Sequence, residues 1–410
     1  MDVLPCVADG EKSLAPYAAY LKSLLAYLKP QGRLLIAMDN RLGLKFFCGA
    51  SDPYSDDLFG ELSGTNGKGR LFTAAETGEI LAEAGFMYWK FYYPFPDYRL
   101  PQFIFTDDAL PDPSIGERML PYDPTPDARV LPEAALYADA VRNDLLPGMA
   151  NSFLIECGMT EDFCRTESAS LACDRAPIYN IATCREGSLF VKKPVMAPAR
   201  QGLRAIVDNL ETFLQRGLDV VPCEMINDRI IMPRFDVPTM AAWLERRKPD
   251  ERDAVLAAME RLWAAILQSS PPVPDSENCM RRMNAEADWG VVLARGYLNM
   301  TPDNIFYQDG KLTFFNQGLS RENCPAKYLI FLAVYDNADA LSHVGVLDEL
   351  KERYGLASLW GVMEAAQQEN FARFRRYNVY RRFYDWASIN PAQMQKNRQI
   401  LKIIGNEDEE

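Results

Sequence analysis

The 410-residue chain reads as an α/β protein in two parts, and three stretches carry that reading. Near the start, a helix-prone segment runs into Pro30 and Gly32 and is followed by the apolar run Leu34 to Met38. Next comes a helix with its own start and stop signals, followed by aromatic, strand-prone runs. From about Glu167, strands of alternating pattern flank a long amphipathic helix. Strands interleaved with helices are the signature of layered α/β packing.

The first helix spans about Leu14 to Leu28 and cannot pass Pro30, which lacks an N–H and clashes with the preceding turn. Leu34 to Met38 has strand length and no polar interruption, which suits a strand covered on both faces of a parallel sheet. Asp39 and Asn40 then fall at the strand's carboxyl end, where open α/β sheets bind ligands. A turn that satisfies its own backbone is the alternative use of the same two residues. Thr73-Ala74-Ala75-Glu76 has the spacing of a capping box and opens a helix over about Ala74 to Ala84, with Gly85 placed to end it. Phe86 to Tyr93 and Gln102 to Phe105 read as a strand pair at the sheet edge, turning at Pro94-Phe95-Pro96-Asp97-Tyr98. The aromatics Phe91, Tyr92, Tyr93, Phe95 and Tyr98 suit either a core or a platform for a sugar ring.

The ordered set YLKPQGRLLIAMDN, FTAAETGEILAEAGF and FYYPFPDYRLP resembles the last strands and helix of a class I S-adenosylmethionine-dependent methyltransferase. It is particularly similar to bacterial modules found with glycosyltransferases, and the resemblance covers about residues 1–115. It implies a partial Rossmann-like methyltransferase sheet, S-adenosylmethionine as cofactor, and a sugar or glycan precursor as methyl acceptor, with Asp39 and Asn40 on the acceptor side. The family holds its donor at a Gly-rich loop after the first strand. Here only Asp2-Val3-Leu4, read as a remnant of the fourth strand, precedes the helix, so the chain alone is not expected to bind the donor. The cut edge near Leu4 and Leu34 needs a cover. An upstream methyltransferase half, another segment or a second copy in a homodimer is the expected partner.

Residues 116–165 read as a Pro-rich linker with one helix near Glu133 to Asn143. Residues 405–410 read as an acidic tail. An apolar share of 48% with 25% charged residues is ordinary for a globular protein of two or three domains. The net charge of −13 disfavours nucleic acid or an anionic membrane as partner. Nine scattered cysteines with no Cys-x-x-Cys, no apolar run long enough for a membrane span and no signal-like start suggest a cytoplasmic protein. His343 is the only histidine, so no metal site is expected.

The second part spans about residues 166–404. Ile178 to Cys184 and Leu189 to Lys193 form a hairpin pattern around Arg185-Glu186-Gly187-Ser188. A helix over Ala199 to Arg216 carries Leu203, Ile206, Val207, Leu210 and Leu214 on one stripe, flanked by Glu211. Val220 to Ile226 and Arg229 to Phe235 straddle Asn227-Asp228, and helices follow over Met240 to Arg247 and Asp253 to Ser269. Then come Tyr297-Leu298-Asn299-Met300-Thr301-Pro302-Asp303-Asn304, a hairpin at Asp309-Gly310, and Asn316-Gln317-Gly318. This order resembles the protein kinase and aminoglycoside phosphotransferase superfamily, which implies an α+β kinase-like domain. By that resemblance Lys192 would hold nucleotide phosphates, Glu211 would pair with it, and Asn304 matches the loop asparagine that binds metal.

Asn299 and Asn316 stand where the family's two decisive carboxylates belong. A neutral amide can neither accept a proton as a general base nor supply the charge that holds magnesium among phosphates. No G-x-G-x-x-G precedes Lys192. The resemblance therefore implies a kinase-shaped module without phosphotransfer; an unrelated α+β domain is the alternative. The Arg- and aromatic-rich stretch from Phe371 to Trp386 suits a packed amphipathic helix or an anion grip.

Overall fold

The computed structural model describes residues 3–8, 11–50, 53–54, 59–63, 69–113, 115, 131, 133–172 and 175–374. They fall into two compact units, one drawn from residues 1–174 and 183–187, the other from 175–182 and 188–374.

In the first unit, α1 (Ala15–Leu25) leads to β1 (Arg33–Asp39), and α2 (Ala74–Ala84) leads to β2 (Tyr88–Phe95). Then follow β3 (Phe103–Phe105), α3 (Glu133–Arg142), β4 (Ser152–Gly158) and β5 (Ser168–Leu171). The capping box forms as the sequence dictates. The Glu76 N–H donates to the Thr73 hydroxyl, the Thr73 N–H donates back to the Glu76 carboxylate, and Gly85 closes α2 at φ 97°. Within this unit the strands lie in the order β1-β4-β2-β3-β5.

The expected parallel sheet is corrected here. β4 lies between β1 and β2 and runs antiparallel to both, pairing Ile36 with Ile155 and Phe91 with the same Ile155. β1 therefore buries one face, with Ile36 and Met38 inward and Leu35 63% exposed. An apolar run looks alike whether one face is covered or two, and exposed single leucines are common. The aromatic pair β2–β3 forms antiparallel, but it lies inside the sheet and not at its edge. Phe95 and Phe153 are fully buried there, and Phe91 packs edge-to-face on Phe153 at 5.2 Å.

Residues 116–165, read as a linker, supply both α3 and the central strand β4. Of Asp2-Val3-Leu4, read as a strand remnant, Asp2 lies outside the described residues, and Leu4 opens a short 3-10 turn over Leu4–Cys6. On its outer side β1 makes one ladder contact among the described residues, a single bridge from Asn40 to Phe72.

The second unit begins with β6 (Ile181–Glu186), whose residues are divided between the two units, and β7 (Leu189–Pro194). α4 (Ala199–Gln215), β8 (Glu224–Ile226) and β9 (Arg229–Pro233) follow, with β9 pairing antiparallel to both β7 and β8. Asn227 and Asp228 take φ of 49° and 59°, the paired left-handed conformation that a two-residue hairpin turn demands. α4 packs Leu203, Ile206 and Leu210 with Val221, Ile230 and Met232 into a small core. Phe213 completes its buried face, and Leu214, expected on that stripe, is exposed.

Beyond these lie α5 (Met240–Glu245), α6 (Arg252–Ser269), β10 (Pro272–Val273), β11 (Val292–Tyr297), β12 (Ile305–Gln308), β13 (Lys311–Phe314) and β14 (Ser320–Pro325). α7 (Ala326–Tyr335), α8 (Ala338–Val344), α9 (Leu347–Arg353) and α10 (Trp360–Phe374) complete the unit. A large apolar core joins α6, α7 and α10 through residues such as Leu262, Phe331 and Met363. The hairpin β12–β13 turns at Asp309-Gly310, and β11 pairs with β10 and β14. No helix among the described residues is long and apolar enough to cross a membrane. The Arg-rich stretch beyond Phe374 and the acidic tail lie outside the described residues.

Candidate functional site

The second unit contains a cleft of about 400 Å³ lined by residues from β6, α4, α7, α10 and the loops around β12–β13. It brings together Asn299, Asn304 and Asn316, three residues separated by the β12–β13 hairpin and singled out from sequence. The hairpin returns the chain so that Asn316 Nδ2 donates to Asn304 Oδ1 at 2.9 Å. Asn304 Nδ2 in turn donates to the Thr301 hydroxyl at 3.2 Å, and the Leu319 N–H donates to Asn299 Oδ1 at 2.8 Å. Asn316 itself sits at φ 56°, a left-handed conformation that asparagine tolerates better than most residues.

Gln317 is the hub beneath these amides. Fully buried, it donates from Nε2 to the backbone oxygens of Asn299 and Phe315, each at 2.9 Å. Its backbone oxygen accepts from Asn209 Nδ2 at 2.6 Å, which ties α4 to the cleft floor. Gly318 permits this approach, because a Cβ there would stand 2.9 Å from the Ile206 side chain. Two polar atoms of the asparagine set, Asn299 Nδ2 and Asn316 Oδ1, make no hydrogen bond within the described residues. The cleft thus offers one amide donor and one amide acceptor to a ligand.

Charged groups stand around it. Asp303 and Asp336 line the wall with Arg175. Desolvation by that wall raises the Asp303 carboxyl above its ordinary value, although the residue keeps an exposed surface. Lys192, on β7, is buried and does not line the cleft. Burial and the nearby Arg175 cation bring its ammonium down to about 8. Glu211 does not join it. It lies on the solvent side of α4 with no ion pair among the described residues, because two residues along a helix carry it away from the buried face of Asn209. Asn209, Gln317 and Arg175 were missed in the sequence. The one available signal was the glutamine at the centre of the Asn316-Gln317-Gly318 tripeptide that the sequence had singled out.

Asp39 and Asn40, the other candidate pair, are buried in the first unit. Asn40 Nδ2 donates to the backbone oxygens of Gly148 and Ala150, both at 2.8 Å, and its Oδ1 accepts from the Leu42 N–H. Asp39 accepts from Lys45 Nζ at 2.5 Å and from Arg99 Nη2 at 3.1 Å. Asp97 meets the same two cations at 3.3 and 2.8 Å. Burial pushes both carboxyls up. At Asp39 the two cations outweigh it and hold the group below its ordinary value, whereas Asp97 stays above, helped by the Asp39 charge. No group of acidic, cysteine or histidine side chains suited to a metal ion occurs among the described residues.

No protein-family model matches the chain, and no curated protein matches it. Among solved structures it is similar to ADP-bound aminoglycoside phosphotransferase APH(2'')-Ib, with 12% identity and a TM-score of 0.26, covering 54% of this chain and 88% of that one. It is likewise similar to APH(2'')-IIa in complex with gentamicin, with 13% identity and a TM-score of 0.26, covering 56% of this chain and 88% of that one. Superposition this loose leaves the cleft to be read from the chain's own residues.

Proposed function

We propose that the second unit is a kinase-shaped binding module that does not transfer phosphate. The observation that carries this reading is the cluster Asn299, Asn304 and Asn316 at one cleft, with neutral amides in the positions the superfamily resemblance gives to carboxylates. An amide does not take up the proton of an attacking hydroxyl. Amides in those positions also lack the charge with which a carboxylate holds magnesium among phosphates. What the amides do fit is a ligand with hydroxyl or amide groups of its own, held by Asn299 Nδ2 and Asn316 Oδ1. A nucleotide or a sugar has such groups, and Arg175 suits a phosphate on either.

Incubation of the full chain with ATP and magnesium is expected to release no phosphate, and thermal shifts on adding ADP are expected to be the same with and without magnesium. In Asn299→Asp/Asn316→Asp, nucleotide binding becomes at most weakly magnesium-dependent. Robust turnover by the native chain would overturn the reading.

A second reading, methyl transfer to a sugar or glycan precursor, draws on the first unit. There β1 and β2 run parallel and are joined through α2, as in the methyltransferase sheet the sequence resembles. The residues at the end of β1, which the resemblance puts on the acceptor side, have little left for a methyl acceptor. Asn40 is held by backbone, and Asp39 by Lys45 and Arg99, so no step is assigned to either. Titration calorimetry of S-adenosylmethionine into the chain is expected to give no heat of binding, and a micromolar constant would reinstate that role.

A further inference from the structure

A pair of cysteines that the proposed function does not use lies elsewhere in the second unit. Cys324 is fully buried on β14, while Cys279 is half-buried in the loop that leads from β10 to β11. The Cys279 N–H donates to the Asn323 backbone oxygen at 2.9 Å, which locks the loop against the strand one residue before Cys324. With standard backbone lengths that bond keeps the two α-carbons within roughly 7 Å, the span a disulfide bridges. Room for the Cys324 side chain comes from the neighbouring strand, where a Cβ at Gly296 would stand 2.5 Å from the Cys324 Cβ. We propose that Cys279 and Cys324 are a redox-modification site, closing to a reversible disulfide on exposure to a small-molecule disulfide such as oxidised glutathione.

The roles divide by environment. The neighbouring Cys324 thiol lowers the Cys279 thiol most; burial opposes it, Arg321 and Arg282 assist, and the group settles at about 7. Cys324, beside that thiol and fully buried, is pushed well above its ordinary value. Cys279 is thus the thiolate that attacks, because only the thiolate is nucleophilic and Cys279 is the less buried of the two residues. Its sulfur bonds to one sulfur of oxidised glutathione and expels the other half as glutathione thiolate. Cys324 then attacks the Cys279 sulfur of the mixed disulfide, passing its proton to the glutathione thiolate it expels. Two protein thiols are oxidised and one glutathione disulfide is reduced to two glutathiones. The product ties β14, which leaves the cleft at Ser320, to the loop before β11.

The test equilibrates the native full chain in glutathione buffers of increasing oxidised fraction, then blocks remaining thiols with N-ethylmaleimide and maps peptides by mass. The expected result is a linked peptide containing Cys279 and Cys324 that disappears on adding dithiothreitol and never forms in Cys279→Ser. Persistent blocking of both cysteines in the most oxidising buffer would overturn the proposal. So would Cys279 stopping as a glutathione adduct, since that means Cys324 cannot reach it. A second measurement follows the alkylation rate of Cys279 against pH. Its midpoint is expected near 7 in the native chain and at least one unit higher in Cys324→Ala, with a several-fold slower rate at pH 7. An unchanged profile would show that the two sulfurs do not interact.

Discussion

At the carboxyl end of β1 the chain packs four charged groups, three of them buried and Arg99 partly so, and beside β12–β13 it sets three amides at an open cleft. The two clusters solve the same problem, polar side chains packed against apolar cores, in opposite ways. Asp39, Asp97, Lys45 and Arg99 sum to zero charge and satisfy one another, so they have little left for a ligand. Asn299, Asn304 and Asn316 carry no charge, need no counter-ion, and keep a donor and an acceptor for something else. A buried charge cluster is strongly coupled inwardly, since removing one member strands the others in low dielectric. An amide cluster is weakly coupled and tolerates exposure. On that contrast, the first cluster belongs to the stability of its unit, and the second is the one we propose for recognition.

The largest expected effect comes from Lys45→Met, which leaves Asp39 and Asp97 sharing only the half-exposed Arg99. A loss of about 3–5 kcal/mol in urea unfolding is expected, and a loss under 1 kcal/mol would erase the distinction between the clusters. Asn316→Asp comes next. It sets a carboxylate oxygen against Asn304 Oδ1, so either the pair repels or Asn304 turns over and gives up its bond to Thr301. A cost of about 1–3 kcal/mol is expected by the same measurement.

The pH response of the charged cluster is smaller, with signs that differ between its two acids. Asp39 is held below its unfolded value, so its contribution is present above the ordinary carboxylate range and is lost as pH falls through the folded value. Asp97 is held above, so its contribution is complete below the unfolded value and is lost as pH rises through the folded value. Asp39→Asn should therefore flatten the acid loss of stability and Asp97→Asn should steepen it. Chemical denaturation at stepped pH reads both, and equal slopes in the two variants would contradict the assignment. The smallest effect belongs to Asn299→Asp, because either side chain gives the Leu319 N–H an acceptor. It should stay within roughly 0.5 kcal/mol of the native chain, and a larger loss would mean that Asn299 Nδ2 has a structural partner.

The sequence was most legible where local chemistry decides. The Thr73–Glu76 box, the stop at Gly85 and the turns at Asn227-Asp228 and Asp309-Gly310 all depend on neighbours a few residues away, and all formed as expected. The asparagine cluster was legible because the hairpin that joins its halves is itself local. Long-range pairing was not. Nothing near Leu34 to Met38 announces that Ser152 to Gly158 will lie beside it, and without that strand a half-covered β1 cannot be told from a fully covered one. Glu211 failed for a related reason. The helix stripe gave its face only to within one residue, and Asn209 faces inward where the kinase resemblance had suggested a glutamate.

The position of β4 also bears on how the molecule is made. β1 and β2 leave the ribosome before β4, and in the fold they do not pair with each other, because the strand that belongs between them begins at Ser152. Until Gly158 has been added and has cleared the exit tunnel, the nascent chain carries two apolar strands with a vacant lane one strand wide. Such open lanes invite foreign strands. The interval between the emergence of Phe95 and that of Gly158 from the tunnel is thus one in which shielding from other chains like itself protects this protein.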